Sequence, residues 1–211
     1  MDIDENLEVE LRFRAKAAMR KRARGVRGAV PRDAILKRSA QIQDTLSSLP
    51  EIAAASRIAL FFPIEGRNEV DLVALDARLR ERGARIAYPT VDRDTRTMTF
   101  RFVDDPHAME EQGSGFCEPG PSNEEALALD VIVVPCLQID PRGYRIGYGA
   151  GYYDRTLPRF CPPARAIAVA FDFQLVSEIP DTASDVPVHV VVTDTRVLRI
   201  DAPAAETPPA P

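Results

Sequence analysis

The sequence predicts one three-layer α/β/α domain with a mostly parallel central sheet of the Rossmann-like type. Short, continuous runs of β-branched and aliphatic residues alternate along the chain with segments of helical periodicity. A chain of 211 residues, 45% of them hydrophobic, can bury one sizeable core. We therefore expect the domain to occupy residues 1–200, and the Ala- and Pro-rich residues 201–211 to form a disordered C-terminal tail.

The N-terminal part of the chain is predicted to be helical. Apolar residues recur at three- and four-residue spacing over residues 5–24, which predicts a first helix. A second helix is expected over residues 31–46, because Pro and Asp near its first turn are typical of a helix start. Lys16 and Arg20 are four residues apart, so they are expected to project from one face of the first helix.

The rest of the chain alternates between strand and helix patterns. Residues 70–82 carry apolar residues at helical spacing, and Gly83 is a typical helix stop. Residues 104–122 are rich in Asp, Glu, Gly and Pro, so they are expected to form a long surface loop. Strands are predicted over residues 57–62, 85–88, 97–103 (antiparallel), 130–134, 164–171 and 188–193.

Charge is unevenly distributed along the chain. The net charge is -5, yet the segment from Arg12 to Arg32 contains nine Lys or Arg residues and no Asp or Glu. A basic segment on an acidic protein indicates an anionic small ligand, with nucleic acid as the competing interpretation. Because Phe13 is the only aromatic residue in this segment, stacking on bases is poorly supported, and we expect no nucleic-acid partner.

The cysteine spacing and the N-terminal sequence indicate the cellular compartment. The three cysteines form no C-x-x-C pair, and neither histidine lies near them, so a disulfide framework and a structural zinc site are both disfavoured. The acidic N-terminus has no apolar stretch, which predicts that no secretory signal is present. No apolar run reaches the ~18 residues that span a bilayer. We therefore expect a cytoplasmic protein without a membrane partner.

The candidate ligand site follows from the predicted sheet. Ligands of parallel α/β sheets bind just beyond the carboxyl ends of the strands. The loops that follow Phe62, Tyr88 and Val134 are therefore expected to form the site. The third of these loops is the most unusual one, because it leads into a run of alternating glycines.

These glycines are Gly147, Gly149 and Gly151, and they precede a helix predicted to begin at Tyr152. Glycine allows unusual backbone angles, so successive N–H groups can converge on a phosphate, and a helix N-terminus adds donors and partial positive charge. Arg145 can offer a charged fork of donors to the same group. The spacing matches neither the P-loop pattern nor the dinucleotide fingerprint, so an ordinary glycine-rich connection stays the alternative.

The segment that begins at Gly143 and ends at Arg155, GYRIGYGAGYYDR, resembles the glycine-rich loop of the 5-formyltetrahydrofolate cyclo-ligase family. The resemblance covers residues 12–195. Short motifs elsewhere in the chain also carry it: Lys16 to Arg20, Phe62-Pro63, Glu69 to Asp71, Glu118-Pro119, Asp185 to Pro187, and Thr193.

The resemblance implies an ATP-dependent ligase of folate one-carbon metabolism. The implied reaction turns 5-formyltetrahydrofolate and ATP into 5,10-methenyltetrahydrofolate, ADP and phosphate, through phosphorylation of the formyl oxygen and ring closure by N10. ATP and the reduced folate are the implied partners, Mg²⁺ is the implied cofactor, and a monomer is expected. The alternative is a paralogue of the same fold that binds nucleotide but acts on another substrate or has no catalytic role.

The same resemblance implies a role for individual residues. Arg145 and Tyr153 are implied to be catalytic, and Asp154 to bind Mg²⁺. Phe62 and Glu69 are implied to hold the folate together with Tyr153. The implied ATP-binding residues are Lys16, Arg20, Arg145, Gly147, Tyr148, Gly149, Ala150, Gly151, Tyr152 and Tyr153.

Plainer interpretations remain for several of these residues. Lys16 and Arg20 could form a solvated basic face of a helix. Glu69 could serve as an acid at the N-terminus of the helix predicted from residue 70. Phe62 could be an ordinary packing residue at a strand end, and Tyr153 a half-buried aromatic residue.

Three positions depart from the family pattern. Ala150 stands where Gly or Lys is usual, and Tyr148 stands where Arg or another large residue is common. His189 aligns with a second metal-binding Asp that some members have, and imidazole is a poorer partner for Mg²⁺ than carboxylate. Asp185 is therefore the alternative second ligand.

Overall fold

The structure is a computed structural model that describes residues 3–113 and 115–200, with side chains from residue 7 onward. The predicted tail, residues 201–211, lies outside the described residues. Five α-helices are present in this part of the chain: α1 (Ile3–Gly28), α2 (Arg32–Ser48), α3 (Pro50–Ala54), α4 (Val73–Glu81) and α5 (Tyr152–Thr156). The same part of the chain contains three short 3₁₀ helices, at Pro106–Ala108, Leu157–Arg159 and Asp172–Gln174.

The strands form one large sheet and two small hairpins. The large sheet contains β1 (Arg57–Ala59), β2 (Arg85–Asp92), β3 (Thr97–Phe102), β6 (Val131–Pro135), β9 (Arg165–Val169), β10 (Val190–Val192) and β11 (Val197–Arg199). The hairpins pair β4 (Glu110–Glu111) with β5 (Cys117–Glu118), and β7 (Gln138–Ile139) with β8 (Arg145–Ile146).

The large sheet is mixed but mostly parallel, as the sequence predicts. Its order is β11-β10-β9-β6-β1-β2-β3, and only the two edge strands, β3 and β11, run antiparallel to their neighbours. The five parallel strands therefore follow the doubly wound order 2-1-3-4-5, which reverses direction between β1 and β6. Because the connections from these two strands diverge to opposite sides, a crevice opens beyond their carboxyl ends.

The two faces of the sheet are covered differently. Helices α2, α3 and α4 pack on one face against large residues such as Ile58, Ile86 and Val133. The other face carries small residues, including Ala87 and Ala168, and it is covered by α5 and the segment that follows it. The predicted three layers are confirmed, and the second outer layer is a single helical turn with irregular chain rather than long helices.

Helix α1 packs on the β7–β8 hairpin. Its Ala23 is buried with Leu137, Ile146 and Ile179, and Met19 packs against the same cluster. The basic helix is thereby held beside the glycine-rich segment that follows β8. None of the helices in residues 3–113 and 115–200 is long and apolar enough to cross a membrane. The expected cytoplasmic location and monomeric state stay predictions.

Several predicted boundaries were wrong for identifiable reasons. The strand predicted over residues 57–62 ends at Ala59, although Leu60 still donates a hydrogen bond to Ala87 O (2.9 Å). The helix predicted from residue 70 begins at Val73. The loop predicted over residues 104–122 contains the β4–β5 hairpin, which buries Glu118. These boundaries depend on pairing with distant parts of the chain, and local residue patterns do not predict such pairing.

Other elements agree with the prediction, or add to it. The free state predicted for the three cysteines is confirmed for Cys117, Cys136 and Cys161. Helix α3, the two strands of the β7–β8 hairpin and edge strand β11 were not predicted from the sequence, since each of these four elements is five residues long or shorter. Elements of that length contain too few residues to show a period.

Gly143 offers a test of the fold around the glycine-rich segment. A Cβ there would lie 2.7 Å from Val188 O, and the residue has a φ of +86°. Gly143→Ala should lower the free energy of unfolding by about 2–4 kcal/mol, from strain and overlap together. Urea denaturation measures this change.

Gly25→Ala is the matched control. Gly25 lies within α1, and nothing lies within 4 Å of its Cβ position. Alanine there should raise stability by about 0.5–1 kcal/mol because it favours the helix. Equal effects of the two substitutions would contradict the described backbone at Gly143.

Candidate active site

A cavity of about 560 Å³ lies at the carboxyl ends of the parallel strands. The segments after Phe62, Tyr88 and Val134 all contribute to it, through Ile64, Pro89 and Pro135. The segment after Tyr88 is strand rather than the predicted loop, because β2 continues to Asp92. The residues implied by the family resemblance line it as well: Lys16, Arg20, Phe62, Glu69, Arg145, Gly147, Tyr148, Gly149, Ala150, Gly151, Tyr152, Tyr153 and Asp154. Residues far apart in sequence are therefore brought to one cavity.

One wall of the cavity is apolar. It is formed by the chain after β1, by β2 and β3, and by the residues before β5. Phe62 packs edge-to-face on Tyr88, with ring centroids 6.3 Å apart. The apolar lining residues are Phe61, Phe62, Ile64, Pro89, Val91, Met98, Phe116 and Cys117. Such a wall suits a flat, partly aromatic ligand.

The glycine-rich segment forms the opposite side. Gly149 and Gly151 have φ angles of +108° and +67°, and Gly151 directly precedes α5. A Cβ on Gly149 would lie 3.4 Å from Arg20 Nε, an ordinary contact, so the φ of +108° rather than lack of space is what favours glycine there. The predicted helix at Tyr152 is present but only five residues long.

The basic face of α1 is turned into the site. Lys16 is only 5% exposed, and its Nζ forms a salt bridge with Asp185. Arg20 Nε donates a hydrogen bond to Gly147 O at 3.2 Å. The plainer interpretation of a solvated helix face is therefore excluded for Lys16. Asp185 has a lowered pKa: burial opposes its ionisation, but hydrogen bonds from Lys16 and Thr182 outweigh that effect.

Arg145 is fixed by two acceptors at the back of the cavity. It donates to Val186 O at 2.6 Å and to Asp154 Oδ1 at 2.8 Å. The same Asp154 oxygen accepts the backbone N–H of Val186 at 3.1 Å. Since the described hydrogen bonds of Asp154 all use Oδ1, its second oxygen is available to a ligand in the cavity.

The hydroxyl of Tyr153 is buried in the cavity wall. It has no hydrogen-bond partner among the described residues, while its ring packs on Phe100 at a centroid distance of 6.5 Å. Burial raises the pKa of Tyr153, so the hydroxyl stays protonated at neutral pH and can donate. An unpartnered buried hydroxyl costs about 1–3 kcal/mol, which a ligand acceptor in the cavity would recover.

Glu69 lies at the junction of the apolar wall and the glycine-rich segment. Its Oε2 accepts the backbone N–H of Ile64 at 2.8 Å, and its Oε1 accepts the hydroxyl of Tyr148 at 2.6 Å. Arg27 NH2 lies 3.7 Å from Oε1. The plainer interpretation, an acid in the first turn of a helix, is wrong because α4 begins only at Val73.

Some cavity residues were not singled out from the sequence. Arg67 and Arg155 line the cavity, as do Thr182 and Ser184 from the segment before β10. Thr182 and Ser184 lie just before the Asp185 to Pro187 motif but outside it. Arginines such as Arg67 and Arg155 resemble any solvated charge, although Arg155 ends the glycine-rich motif, so only the tertiary structure could place these residues at the cavity.

The two candidates for a second metal ligand are separated by the structure. Asp185 lines the cavity. His189 does not, and its Nδ1 accepts the backbone N–H of Ala166 at 2.9 Å. No group of three or more His, Cys, Asp or Glu residues suited to a metal ion occurs among residues 3–113 and 115–200. Any ion in the cavity would therefore depend on ligand atoms as well.

The charge of the cavity favours anions. Five basic side chains line it, against the three carboxylates of Glu69, Asp154 and Asp185. Apolar walls of low dielectric constant strengthen the electric field that this excess of positive charge produces in the cavity. Fold and cavity together define a doubly wound α/β protein with a cavity whose lining suits an anionic ligand beside a flat, partly aromatic one.

Comparison with known proteins is consistent with this class. A protein-family model described as "5-formyltetrahydrofolate cyclo-ligase family" matches residues 12–194. The chain therefore belongs to the 5-formyltetrahydrofolate cyclo-ligase family, as the sequence resemblance implies.

Individual relatives carry the same description. The chain is 36% identical over 135 residues to the 5-formyltetrahydrofolate cyclo-ligase of Mycolicibacterium smegmatis, across 61% of this chain and 70% of the relative. It is 27% identical over 162 residues to that of Escherichia coli strain K12, across 74% of this chain and 88% of the relative.

Solved structures agree with the fold. The NMR structure of Aquifex aeolicus 5,10-methenyltetrahydrofolate synthetase is similar with a TM-score of 0.77 and 31% identity, covering 91% of this chain and 96% of that one. A 5,10-methenyltetrahydrofolate synthetase from Mycoplasma pneumoniae has a TM-score of 0.66 at 24% identity, covering 85% and 98%, and supports the fold alone.

Tyr153 provides a test of the site that requires no ligand. Tyr153→Phe removes an unpartnered buried hydroxyl, so the free energy of unfolding of the ligand-free protein should rise by about 1 kcal/mol. Thermal or urea unfolding measures the change.

Tyr88→Phe is the matched control, because the Tyr88 hydroxyl is also buried but donates to Asp76 Oδ2 at 2.8 Å. Its loss should destabilise the protein by about 1.5–3 kcal/mol, as expected for a bond to a charged acceptor. Destabilisation of similar size in both variants would mean that the Tyr153 hydroxyl has a partner.

Proposed function

We propose that the chain catalyses the ATP-dependent conversion of 5-formyltetrahydrofolate to 5,10-methenyltetrahydrofolate, with release of ADP and phosphate. Family membership supports the reaction class. The observation that carries the proposal is that one cavity joins a cation-rich glycine segment to an apolar wall ending at the buried Glu69. A triphosphate and a pterin need these two environments side by side.

The glycine-rich side is proposed to hold ATP. Lys16, Arg20 and Arg145 supply positive charge, and the segment from Gly147 to Tyr153 supplies backbone N–H groups. Lys16 would exchange Asp185 for a phosphate oxygen, and Arg20 would release Gly147 O. Arg145, held by Asp154 and Val186, would stabilise the transferred phosphoryl group from a fixed position.

The apolar side is proposed to hold the folate. Phe62 offers its ring to the flat pterin, and Glu69 offers carboxylate oxygens to pterin N–H groups. Tyr153 offers its unpartnered hydroxyl as a donor between the two sides. Tyr153 lines the same cavity, and its hydroxyl would serve as a donor to the formyl or phosphoryl oxygen once a ligand reaches it.

The proposed chemistry has two steps. The formyl oxygen attacks the γ-phosphorus of ATP, the bond from phosphorus to the bridging oxygen breaks, and ADP leaves. N10 then attacks the formyl carbon, the carbon–oxygen bond breaks, inorganic phosphate departs, and N10 loses its proton. Phosphorylation is needed because the unmodified formyl oxygen is a poor leaving group. The protein contributes position and electrostatic stabilisation, which dominate phosphoryl transfer.

Mg²⁺ fits the site as a partner of ATP. Asp154 keeps one carboxylate oxygen clear of its described hydrogen bonds and lines the cavity. Mg²⁺ usually takes one or two carboxylates together with phosphate oxygens and water, so three protein ligands are not required. Asp154 would hold the ion, with Asp185 as the second candidate, and the ion would neutralise phosphate charge.

The experiment that tests the function is a spectrophotometric assay for the methenyl product. Purified protein is mixed with 5-formyltetrahydrofolate, ATP and Mg²⁺, and the product should accumulate only with all three. Folded protein that binds ATP but forms no product and does not bind the folate would instead support the paralogue hypothesis.

Lys16→Met tests the proposed ATP contact. The variant keeps the aliphatic stem and loses the charge, so KM for ATP should rise by about tenfold or more, while KM for the folate changes less. Steady-state kinetics with each substrate varied measures both values. Lys21→Met is the control, since Lys21 lies on the same helix but is exposed. An unchanged KM for ATP in Lys16→Met would remove Lys16 from the ATP site.

Glu69→Gln tests the proposed folate contact. The amide cannot accept two charge-assisted hydrogen bonds, so KM for the folate should rise by about tenfold or more, with a smaller change for ATP. Asp194→Asn is the control for losing a buried carboxylate, because Asp194 pairs with Arg38 outside the cavity lining. An equal effect of both variants would indicate general destabilisation rather than a folate contact.

A further inference from the structure

The Tyr148 side chain does not lie where a phosphate contact is expected. Although Tyr148 belongs to the glycine-rich segment, its hydroxyl donates to Glu69 Oε1 at 2.6 Å. The same hydroxyl accepts a hydrogen bond from Arg27 NH2. Its ring also lies near two guanidinium groups, with Arg27 Cζ 5.8 Å and Arg67 Cζ 5.0 Å from the ring centroid. Tyr148 therefore connects the proposed ATP side to the proposed folate side.

In this arrangement Glu69 is closed to a ligand. The residue is only 4% exposed, and each carboxylate oxygen already accepts a hydrogen bond, from Ile64 N–H and from Tyr148. Arg27 is also buried, and its NH2 lies 3.7 Å from Oε1 of Glu69. Ile64 N–H is part of the backbone, so Tyr148 is the partner that can leave. Each carboxylate oxygen can accept a second hydrogen bond, but only 4% of Glu69 is exposed, so a pterin donor gains full access to Oε1 when Tyr148 moves away.

Tyr148 is placed so that it can move. Its side chain is 36% exposed, whereas Glu69 and Arg27 are buried. Glycines flank it on both sides: Gly149 has a φ of +108°, and nothing lies within 4 Å of a Cβ position on Gly147. Because Tyr148 shares this short segment with the proposed phosphate-binding N–H groups, its departure changes the segment that would meet ATP.

ATP would also disturb the contact between Tyr148 and Glu69, through the N-terminal end of the glycine-rich segment. Arg20 holds the segment through Gly147 O, the residue directly before Tyr148. A phosphate that takes the Nε–H of Arg20 would release that carbonyl, because this one N–H cannot stay on both acceptors. Each ligand would thus break one of two contacts that hold the closed segment. The ligand that binds first removes a cost that the second would otherwise meet.

We propose that Tyr148 is a positioning residue that closes Glu69 in the ligand-free enzyme and couples the folate and ATP sites positively. The inference rests on the proposed function, because it takes both ligands from it. Burial, with Glu69 nearby, raises the pKa of the Tyr148 hydroxyl, which keeps it a donor at neutral pH. Linkage then requires that each ligand tighten the other by the same factor.

The test is a pair of binding titrations on the full chain. The Kd for 5-formyltetrahydrofolate is measured by calorimetry with and without a non-hydrolysable ATP analogue and Mg²⁺. In the wild type, the analogue should tighten folate binding by about fivefold or more, the lower end of typical coupling. In Tyr148→Phe, the folate alone should bind more tightly than to the wild type, and the effect of the analogue should fall below about twofold.

Tyr144→Phe is the matched control. It removes a phenol hydroxyl from the same stretch of chain, but Tyr144 packs with α1 outside the cavity lining, so wild-type coupling should persist. Tyr148→Leu is measured in parallel and should also lose coupling. Unfolding midpoints establish that every variant is folded, so a changed coupling cannot be assigned to global instability.

The outcomes separate this inference from the proposed function. Wild-type protein that binds neither ligand would overturn both. Binding of both ligands with no mutual effect, or wild-type coupling in both Tyr148 variants, would overturn the role of Tyr148 and leave the proposed function intact. Loss of coupling in the Tyr148 variants, with retention in Tyr144→Phe, would support it.

Discussion

The site depends on the pairing of buried cations with internal carboxylates. The three pairs are Lys16 with Asp185, Arg27 with Glu69, and Arg145 with Asp154. An unpaired buried charge costs several kcal/mol, so the unliganded fold could not keep these cations inside without the carboxylates. The pairs also limit the free energy of binding that an anionic ligand can gain. An anion that binds one of these cations displaces its carboxylate, which is then left unpaired unless the ligand supplies a new partner for it. A cavity of this kind favours ligands that bring a metal ion or hydrogen-bond donors along with their negative charge.

The fold assembles these pairs from three distant parts of the chain. The reversal of strand order between β1 and β6 opens the crevice, and α1 reaches it because the β7–β8 hairpin provides a surface for packing. Asp140 connects the hairpin to the segment before β10: it is fully buried and accepts N–H groups from Arg142, Tyr144 and Ile179. A carboxylate that satisfies several backbone donors in the interior fixes its surroundings, since any displacement leaves a donor unpaired.

The predictions succeeded where a residue pattern has a direct physical meaning. Continuous β-branched runs identified the buried parallel strands, and glycine spacing identified the segment beside α1, because in both cases local sterics restrict which residues are possible. They failed where pairing decides the structure. β2 runs on to Asp92 because β3 pairs with it, and Glu118 is buried although its surroundings read as a surface loop. The assignment of Tyr148 to the phosphates followed its position in the chain and stays a prediction. Its side chain lies on Glu69, which the sequence did not indicate.

By itself, the sequence determined the class of the fold, the family resemblance, the glycine-rich segment and many, but not all, of the residues that meet in the cavity. Periodicity and glycine spacing are local properties, so they can be recognised from the order of residues alone. Only the tertiary structure decided the partners: which carboxylate neutralises which cation, that His189 lies outside the cavity while Asp185 lines it, and that the Tyr153 hydroxyl is left without a partner among the described residues. Those outcomes depend on distances of a few ångströms between segments separated by many residues, and Coulomb and hydrogen-bond energies change steeply over such distances.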